Sequence, residues 1–220
     1  MRYLKIIGHV VLMIALPLSI LLLGLNVSLR FSETYVYHFN DSQVTSGLGI
    51  STTGSEFADY VCGYLNSFSK EPFQVYEENG KFLDPLFEDE ESAVMLQARR
   101  ILGISLLACI LLLALSVLAY IWLYRNCKRE ERLIGGYVAV GLSAVAALTG
   151  FFLVRSDAFC VRMYNLLIGV DLGEDSLLRH LLGTPLNHAV AIFVLAVCIA
   201  AIGISLYIHS HFTKAQRIFY

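Results

Sequence analysis

The chain of 220 residues is 57% apolar and only 15% charged, whereas a soluble domain carries roughly 25% charged residues. This composition excludes a disordered chain, which is poor in apolar residues, and it indicates an integral membrane protein. The formal net charge of −2 also argues against a nucleic-acid partner, because a surface that neutralises phosphates needs a basic excess.

The first apolar stretch, about residues 6–29, predicts a transmembrane helix, because about 20 consecutive apolar residues cross a bilayer. Pro17 lies inside it, and we expect a helix kink there. Arg2 and Lys5 give a basic start like that of a signal peptide, but the apolar run exceeds the usual signal core of roughly 7 to 15 residues. We therefore expect residues 1–29 to be retained as a membrane anchor.

Residues 30–100 predict a small α+β module between the first two spans. Its first element is an amphipathic helix with a cap at Thr53 or Ser55, because apolar side chains recur at the spacing of one helical face. These side chains are Phe57, Val61, Tyr64, Leu65 and Phe68.

A β-hairpin and an acidic helix start are expected later in the same segment. Residues 73–76 and 81–83 flank Asn79-Gly80, a dipeptide typical of two-residue hairpin turns. The acidic run 88–91 then begins a helix that continues into the second span, because carboxylates are favoured at the positive end of a helix dipole. Such a run is usually solvated, and no ligand spacing around it indicates a metal site.

Three further apolar stretches, about 101–124, 133–154 and 186–208, predict the remaining spans, and none contains Asp, Glu, Lys or Arg. The third span is rich in Gly, Ala and Ser, so we expect it to pack closely against its neighbours. The chain then divides into five parts: 1–29, 30–100, 101–154, 155–185 and 186–220.

The segment 155–185, between the third and fourth spans, is mostly apolar. Four side chains on one helical face predict a helix over 157–168 that lies along the membrane surface. They are Phe159, Met163, Leu166 and Leu167. A second short helix is expected from Ser176 to Leu182, with Asp175 as its cap. These helices either close the outer mouth of the bundle or line a groove reached from the outer leaflet.

The distribution of charge predicts the orientation. The N-terminus, the turn 125–132 and the C-terminal tail together carry eight basic and two acidic residues, whereas 30–100 and 155–185 carry eight basic and sixteen acidic ones. Because basic residues favour the cytoplasmic side, we expect a multi-pass cell-membrane protein with both termini in the cytoplasm. Arg99, Arg100 and Arg155 lie at the outer ends of spans, against this rule, where long side chains can reach the interface.

Cysteines and histidines offer few sites. Of five cysteines, Cys62 and Cys160 are the pair expected on the outer face, so we predict a disulfide between them. His38 and His180 are expected outside, but no outer pair has the spacing of metal ligands. We therefore predict no metal and no other cofactor, and the chain carries no nucleophile elbow, P-loop or dinucleotide fingerprint.

The order of elements resembles that of the bacterial lipoprotein intramolecular transacylase family, Lit. The topology is similar over nearly the whole chain, and local motifs match in both outer segments. The first segment carries Tyr64-Leu65, a hairpin, Leu86-Phe87, Glu91, Met95 and Arg99 at matching positions. The second segment carries Asp171, Asp175, Leu177, Leu178 and Pro185.

What the resemblance implies about activity is limited by three departures. Members of the family move an acyl chain within a diacylglyceryl lipoprotein, from the glycerol ester to the amine of the N-terminal Cys, with outer-face histidines as acid and base. At the matching positions this chain has Val94 for His and Gln97 for Asp. No His lies between Ser156 and Val170, where Phe159 or Tyr164 falls instead. The resemblance therefore implies the scaffold without its catalytic residues.

Our leading prediction is a non-catalytic Lit-like protein that acts at the outer leaflet. We predict no catalysis because the valine at the matching position cannot carry a proton. We expect the protein to bind membrane lipid, a lipoprotein or another membrane protein through an aromatic groove. The groove residues are Tyr64, Phe68, Phe159 and Tyr164.

Two other functions stay open. In an acyltransferase with substituted residues, Glu91 or His38 serves as the base with His180 as its partner, and Arg162 or a backbone N–H group holds the oxyanion. A claudin-like or tetraspanin-like organiser would share only the four-span layout. Against that alternative, the first outer segment lacks a Trp and Cys pair pattern.

Overall fold

The computed structural model describes residues 2–42, 53–67, 71–79, 82–169, 176–181 and 184–213. Within these ranges, four helices are long and apolar enough to cross a membrane: Tyr3–Arg30, Asp89–Asn126, Arg129–Arg155 and Leu186–Thr213. Each contains one of the four predicted spans. The predicted helical membrane protein is therefore confirmed at this level, while the orientation of the termini stays a prediction.

The described elements follow one another along the chain in a simple order. They are α1 (Arg2–Arg30), α2 (Ser32–Ser42), α3 (Gly54–Asn66), β1 (Tyr76–Asn79), β2 (Phe82–Pro85), α4 (Asp89–Asn126), α5 (Arg129–Arg155), α6 (Asp157–Leu167), α7 (Leu177–Leu181) and α8 (Thr184–Thr213). α4 begins inside the acidic run, as predicted, and continues without a break through the second span. The described chain divides into two compact units.

The first unit, called here the bundle unit, comprises Met1–Leu25, Leu106–Phe151 and Val194–Tyr220. Small residues let its helices approach closely, as expected for packing inside a membrane. The buried residues of α5 are Gly135, Gly136, Ala139, Val140, Ser143, Ala147 and Gly150. A Cβ at Gly150 would collide with the Leu21 side chain, and one at Gly24 would lie 2.8 Å from the Cys198 Sγ.

The second unit, called here the connector unit, comprises Asn26–Ser105 and Phe152–Phe193. Its core is an aromatic cluster from α2, α3 and the chain around the hairpin. The ring centroids of Phe39 and Phe57 are 5.2 Å apart, those of Phe57 and Phe87 6.2 Å, and those of Phe73 and Phe87 4.9 Å. Burial of these large rings is the main favourable term for folding this unit.

Helix α3 starts at a capping box on Thr53, one of the two predicted caps. The backbone N–H of Glu56 donates to the Thr53 Oγ1 at 3.3 Å, and the backbone N–H of Thr53 donates to the Glu56 carboxylate at 3.1 Å. The reciprocal bonds satisfy two backbone donors that the first turn leaves free.

The hairpin lies later in the chain than the predicted extended runs. Tyr76 pairs with Pro85 and Asn79 with Phe82 in antiparallel register. Phe73 stays out of the strand because its ring is fully buried in the aromatic cluster and its carbonyl accepts the Ser92 hydroxyl at 2.7 Å. Packing of one large side chain has thus overridden local strand propensity.

Candidate functional site

Glu91 is the most constrained of the predicted catalytic groups. Its side chain is only 4% exposed, although a solvated helix start was expected there, so that expectation was wrong for this residue. One carboxylate oxygen accepts the backbone N–H of Glu88 at 3.0 Å. The other accepts the Ser176 hydroxyl at 2.6 Å and the backbone N–H of Leu178 at 3.0 Å.

These three donors assign Glu91 a structural role. It closes the first turn of α4 and at the same time holds the first turn of α7, two segments far apart in sequence. Ser176 also accepts the backbone N–H of Arg179 at 3.3 Å, so Ser176 is the cap of α7, whereas Asp175, the predicted cap, lies outside the described residues. A buried carboxylate with both oxygens occupied is poorly placed to take a proton from a substrate.

His38 lies in α2, a helix that our sequence reading missed. Its side chain is 1% exposed, and its ring centroid is 5.1 Å from that of Phe39. Together with Thr34, Tyr35 and Phe39 it forms the buried face of the helix. The i, i+4 spacing of Tyr35 and Phe39 was the signal available in the sequence. His38 thus belongs to the buried core of this helix, and its role as a base stays a prediction.

The two positions that the Lit resemblance marks as altered serve packing and tethering. Val94 is 4% exposed in the first turns of α4. The Gln97 side-chain amide donates to the Leu167 carbonyl at 2.8 Å, so it fastens the C-terminal end of α6 to α4. Neither side chain can transfer a proton in this arrangement.

The remaining predicted site residues lie on three helices or outside the described part of the chain. Arg162 is exposed on α6, and Phe159 and Tyr164 are half-buried on the same helix. Tyr64 lies at the end of α3, where its ring packs 5.0 Å from Phe73. Phe68 lies outside the described residues, as does the side chain of His180, whose backbone belongs to α7. The groove composed of these aromatics therefore stays a prediction.

Helix α6 has the character expected of an interfacial helix. None of its residues is buried, and Leu166 is 77% exposed. A short helix that exposes apolar side chains next to a membrane span is suited to lie in the headgroup region.

The predicted disulfide is not formed. Cys62 and Cys160 are both free thiols. The Sγ of Cys62 donates to the Arg30 carbonyl at 2.6 Å, and the Sγ of Cys160 donates to the Val154 carbonyl at 3.1 Å. Each thiol thus has its own backbone acceptor, and burial raises the pKa of both groups. We paired Cys62 with Cys160 because both were expected on the outer face. That criterion is not sufficient, because a disulfide also requires a specific distance and orientation of the two residues.

The bundle unit contains a cavity of about 590 Å³, within the usual range of ligand pockets, about 300–1,000 Å³. Buried Leu12, Ile20 and Ala139 form its floor, and exposed side chains of α4 and α8 such as Val117 and Ile204 form its edges. None of the predicted groove residues lines it. Our sequence reading missed this site because a cavity between apolar helices leaves no polar motif.

The serine hydroxyls in the cavity wall have their donors occupied. Ser19, Ser116 and Ser205 each donate to a carbonyl of their own helix at 2.8 Å. Serine hydroxyls commonly bond in this way inside membrane helices. The wall consequently presents hydrocarbon to anything that enters.

A polar pair, Tyr120 and His209, interrupts this apolar lining. The Tyr120 hydroxyl and the His209 Nδ1 are 3.1 Å apart, and the Nε2 of His209 is 3.3 Å from the Leu133 carbonyl. Because a carbonyl only accepts, the hydrogen-bond network assigns the proton to Nε2 and makes Nδ1 the acceptor for Tyr120. His209 is 3% exposed, and buried polar groups in membrane spans require such partners.

Adjacent glycines make room for two imidazoles. A Cβ at Gly136 would collide with the His209 ring, and a Cβ at Gly135 would collide with the ring of His9. The Nδ1 of His9 bonds the Lys5 carbonyl at 2.8 Å. The glycine pair in α5 thus admits a histidine from α1 and another from α8.

No family model matches this chain, and no curated protein sequence matches it. Among solved structures, it is similar to the membrane integral lipoprotein intramolecular transacylase Lit from Bacillus cereus, with a TM-score of 0.72, 15% identity and 100% of both chains covered. A variant of that protein with a histidine replaced by alanine has a TM-score of 0.73 at 14% identity, over 99% of this chain and 97% of that one. This likeness shows a shared membrane fold, so the chain has the Lit-like fold expected from its topology.

Proposed function

We propose that this protein is a non-catalytic Lit-like membrane protein that binds lipid, or the lipid-modified part of a membrane lipoprotein, through acyl chains. The proposal rests on the acid and base candidates, because one is replaced by an apolar residue and another is occupied by hydrogen bonds within the protein. Val94 is buried where the family resemblance expects a histidine, and all the hydrogen bonds of Glu91 serve two helix starts.

Loss of acid and base groups has a large effect on acyl transfer. General acid and base groups contribute about 10²–10⁴-fold each to such reactions, and a fixed, buried carboxylate does not replace a mobile imidazole. A chain that keeps the Lit-like fold without these groups retains the means to accommodate a lipid rather than to react with it.

The cavity of the bundle unit supports binding of hydrocarbon. Its serine hydroxyls donate to carbonyls of their own helices, and the described residues that line it include no charged side chain. A polar ligand would lose its hydrogen bonds to water on entering, whereas an acyl chain would not. The Tyr120 hydroxyl, which donates to His209, keeps acceptor capacity for one polar group on such a ligand.

The experiment uses the purified chain in nanodiscs with a synthetic diacylglyceryl lipopeptide that carries a fluorophore. We expect saturable binding, and we expect mass spectrometry of the recovered lipopeptide to find both acyl chains still on the glycerol. Ser116→Phe, which places a ring in the cavity, should weaken binding at least about fivefold, since burying one apolar side chain contributes about 1.5–3 kcal/mol.

Ala114→Phe is the matched control, because Ala114 is exposed on α4 two residues before the cavity-lining Ser116. It should bind like the unaltered protein. A lipopeptide recovered with an acyl chain on its amine would establish the transacylase alternative. Equal binding by both phenylalanine variants would remove the cavity from the binding site.

A further inference from the structure

Three arginines of the connector unit form no ion pair with any acidic residue that the structure describes. They are Arg30 at the end of α1 and the neighbouring pair Arg99 and Arg100 in α4. Among the described residues, the ion pair that the structure contains is Lys5–Glu131 in the bundle unit. Charged side chains at this level of a membrane protein would ordinarily be paired or solvated.

The three arginines lie at the same level of two antiparallel helices. The Asn26 side-chain amide donates to the Ser105 hydroxyl at 3.0 Å, which fixes the register of α1 and α4. Arg30 comes four residues after Asn26, and Arg100 comes five residues before Ser105, so both lie about one helical turn beyond this bond. The first candidate membrane span ends at Arg30 and the predicted second span begins at residue 101, so the cluster lies where both spans are expected to reach the headgroups.

Within the described residues, the hydrogen-bond acceptors of Arg30 and Arg99 are neutral groups. Arg30 donates from Nη1 to the Leu65 carbonyl and to the Asn66 Oδ1, each at 3.1 Å. Arg99 donates from Nη1 to the Ser67 hydroxyl at 3.2 Å, and its guanidinium carbon lies 4.5 Å from the centre of the Tyr64 ring. Hydrogen bonds to neutral acceptors orient a guanidinium group but leave its positive charge uncompensated.

Two buried polar atoms at the cluster lack partners within the described chain, the Tyr64 hydroxyl and the Nε of Arg30. Burial raises the pKa of Tyr64, while the positive charges of Arg99 and Arg100 oppose that rise. Both arginines therefore act on the same hydroxyl group. A buried donor without an acceptor is unfavourable, and an anion that accepted hydrogen bonds from these groups would satisfy both of them.

We propose that Arg30, Arg99, Arg100 and Tyr64 form a binding site for the phosphate of an anionic membrane phospholipid. Guanidinium groups bind phosphate through paired hydrogen bonds, and the level of the cluster matches that of lipid headgroups. The site also accounts for arginines at a span end where the charge rule disfavours them. It goes beyond the proposed function, because a diacylglyceryl lipopeptide carries no phosphate.

The test compares lipid retention by native mass spectrometry after release from nanodiscs of equal phosphatidylglycerol and phosphatidylcholine. The unaltered chain should retain one phosphatidylglycerol in preference to phosphatidylcholine. Arg99→Gln and Arg100→Gln should each reduce that preference about fivefold, the effect expected for one cationic side chain near an anionic headgroup. Arg155→Gln, an exposed arginine of the same unit, should leave the preference unchanged.

Two outcomes would overturn the proposal. One is an equal preference for phosphatidylglycerol in the unaltered chain, Arg99→Gln and Arg100→Gln. The other is displacement of the lipid by inorganic phosphate at the same concentration, which would indicate a site for free phosphate. Because Arg100 is exposed, Arg100→Gln should keep the thermal midpoint of the unaltered chain. Lipopeptide binding should not change in these variants. A negative result for the phosphate site would therefore leave the proposed function unaffected.

Discussion

The bundle unit and the connector unit use their polar groups in different ways. In the bundle unit, the serine hydroxyls donate to carbonyls of their own helices and the Tyr120 hydroxyl bonds to His209, so the cavity wall is mainly apolar. In the connector unit, the buried carboxylate of Glu91 accepts hydrogen bonds from three donors, whereas Arg30, Arg99 and Arg100 form no ion pair within the described residues.

The difference in how the two units use their polar groups indicates which ligands each unit can accommodate. A hydrocarbon wall suits an acyl chain, and uncompensated guanidinium groups suit an anion. General acid and base catalysis needs an accessible group that gains and loses a proton. Glu91 and His38, the two predicted bases, are both buried.

The largest effect is expected from Glu91→Ala, which would break the connector unit at the joint between α4 and α7. The substitution removes the acceptor for three donors, and hydrogen bonds to a charged group contribute about 1.5–3 kcal/mol each. We expect a loss of about 3 kcal/mol or more in the free energy of unfolding, measured by thermal or denaturant unfolding in detergent. Glu90→Ala, at an exposed neighbour, should change stability by less than about 0.5 kcal/mol; equal losses would refute the structural role of Glu91.

Gly136→Ala tests the close packing that the bundle unit depends on. The added Cβ would collide with the His209 ring, and overpacking of this kind costs about 1–3 kcal/mol. Gly141→Ala, on the same helix with open space around it, should be neutral or slightly stabilising, because alanine is the better helix former by about 0.5–1 kcal/mol. Unfolding midpoints of the two variants would give the comparison, and a stable Gly136→Ala protein would contradict the described packing.

A smaller effect is expected from Tyr120→Phe, which tests how much the Tyr120–His209 hydrogen bond contributes to stability. The substitution removes one hydrogen bond between α4 and α8, and such bonds in membrane proteins contribute about 0.6 kcal/mol on average. The unfolding midpoint should therefore fall only slightly. If Tyr120→Phe destabilised the protein as much as Gly136→Ala, the pair would be a major structural contact and the apolar description of the cavity would need revision.

The last prediction concerns the thiols of the connector unit. Under non-reducing denaturation, Cys62 and Cys160 should both be alkylated, since both are free. In the native protein, alkylation should be slow at neutral pH and accelerate as the pH rises, because burial raises the pKa of each thiol and the thiolate is the reactive form. Peptide mass spectrometry would detect a disulfide, if one formed, as resistance of both residues to alkylation before reduction.

Much of the fold could be predicted because its strongest signals are local. Four long apolar runs, the cap at Thr53 and the acidic start of α4 each depend on neighbouring residues, and the structure has all of them. Helix α2 was missed because its polar residues mask the spacing of Tyr35 and Phe39. The hairpin was displaced because Phe73 is recruited by rings distant in sequence.

The sites could be predicted only in part, because they depend on contacts between distant segments. Nothing near Glu91 in sequence indicates that Ser176 and the Leu178 backbone would occupy it. The disulfide prediction was wrong for a similar reason, since the acceptors of Cys62 and Cys160 are backbone carbonyls whose position no pattern reveals. The valine at position 94 was visible in the sequence, and it led us to propose binding rather than catalysis.

The most direct test of non-catalytic function is expression of the chain in a bacterium that lacks its own lipoprotein N-acylation. Mass spectrometry of lipoprotein N-terminal peptides would then determine where the acyl chains lie. We expect both acyl chains to remain on the glycerol and the α-amine of the N-terminal Cys to remain free. An acyl chain found on that amine, with one lost from the glycerol, would contradict it and establish a transacylase with unfamiliar catalytic residues.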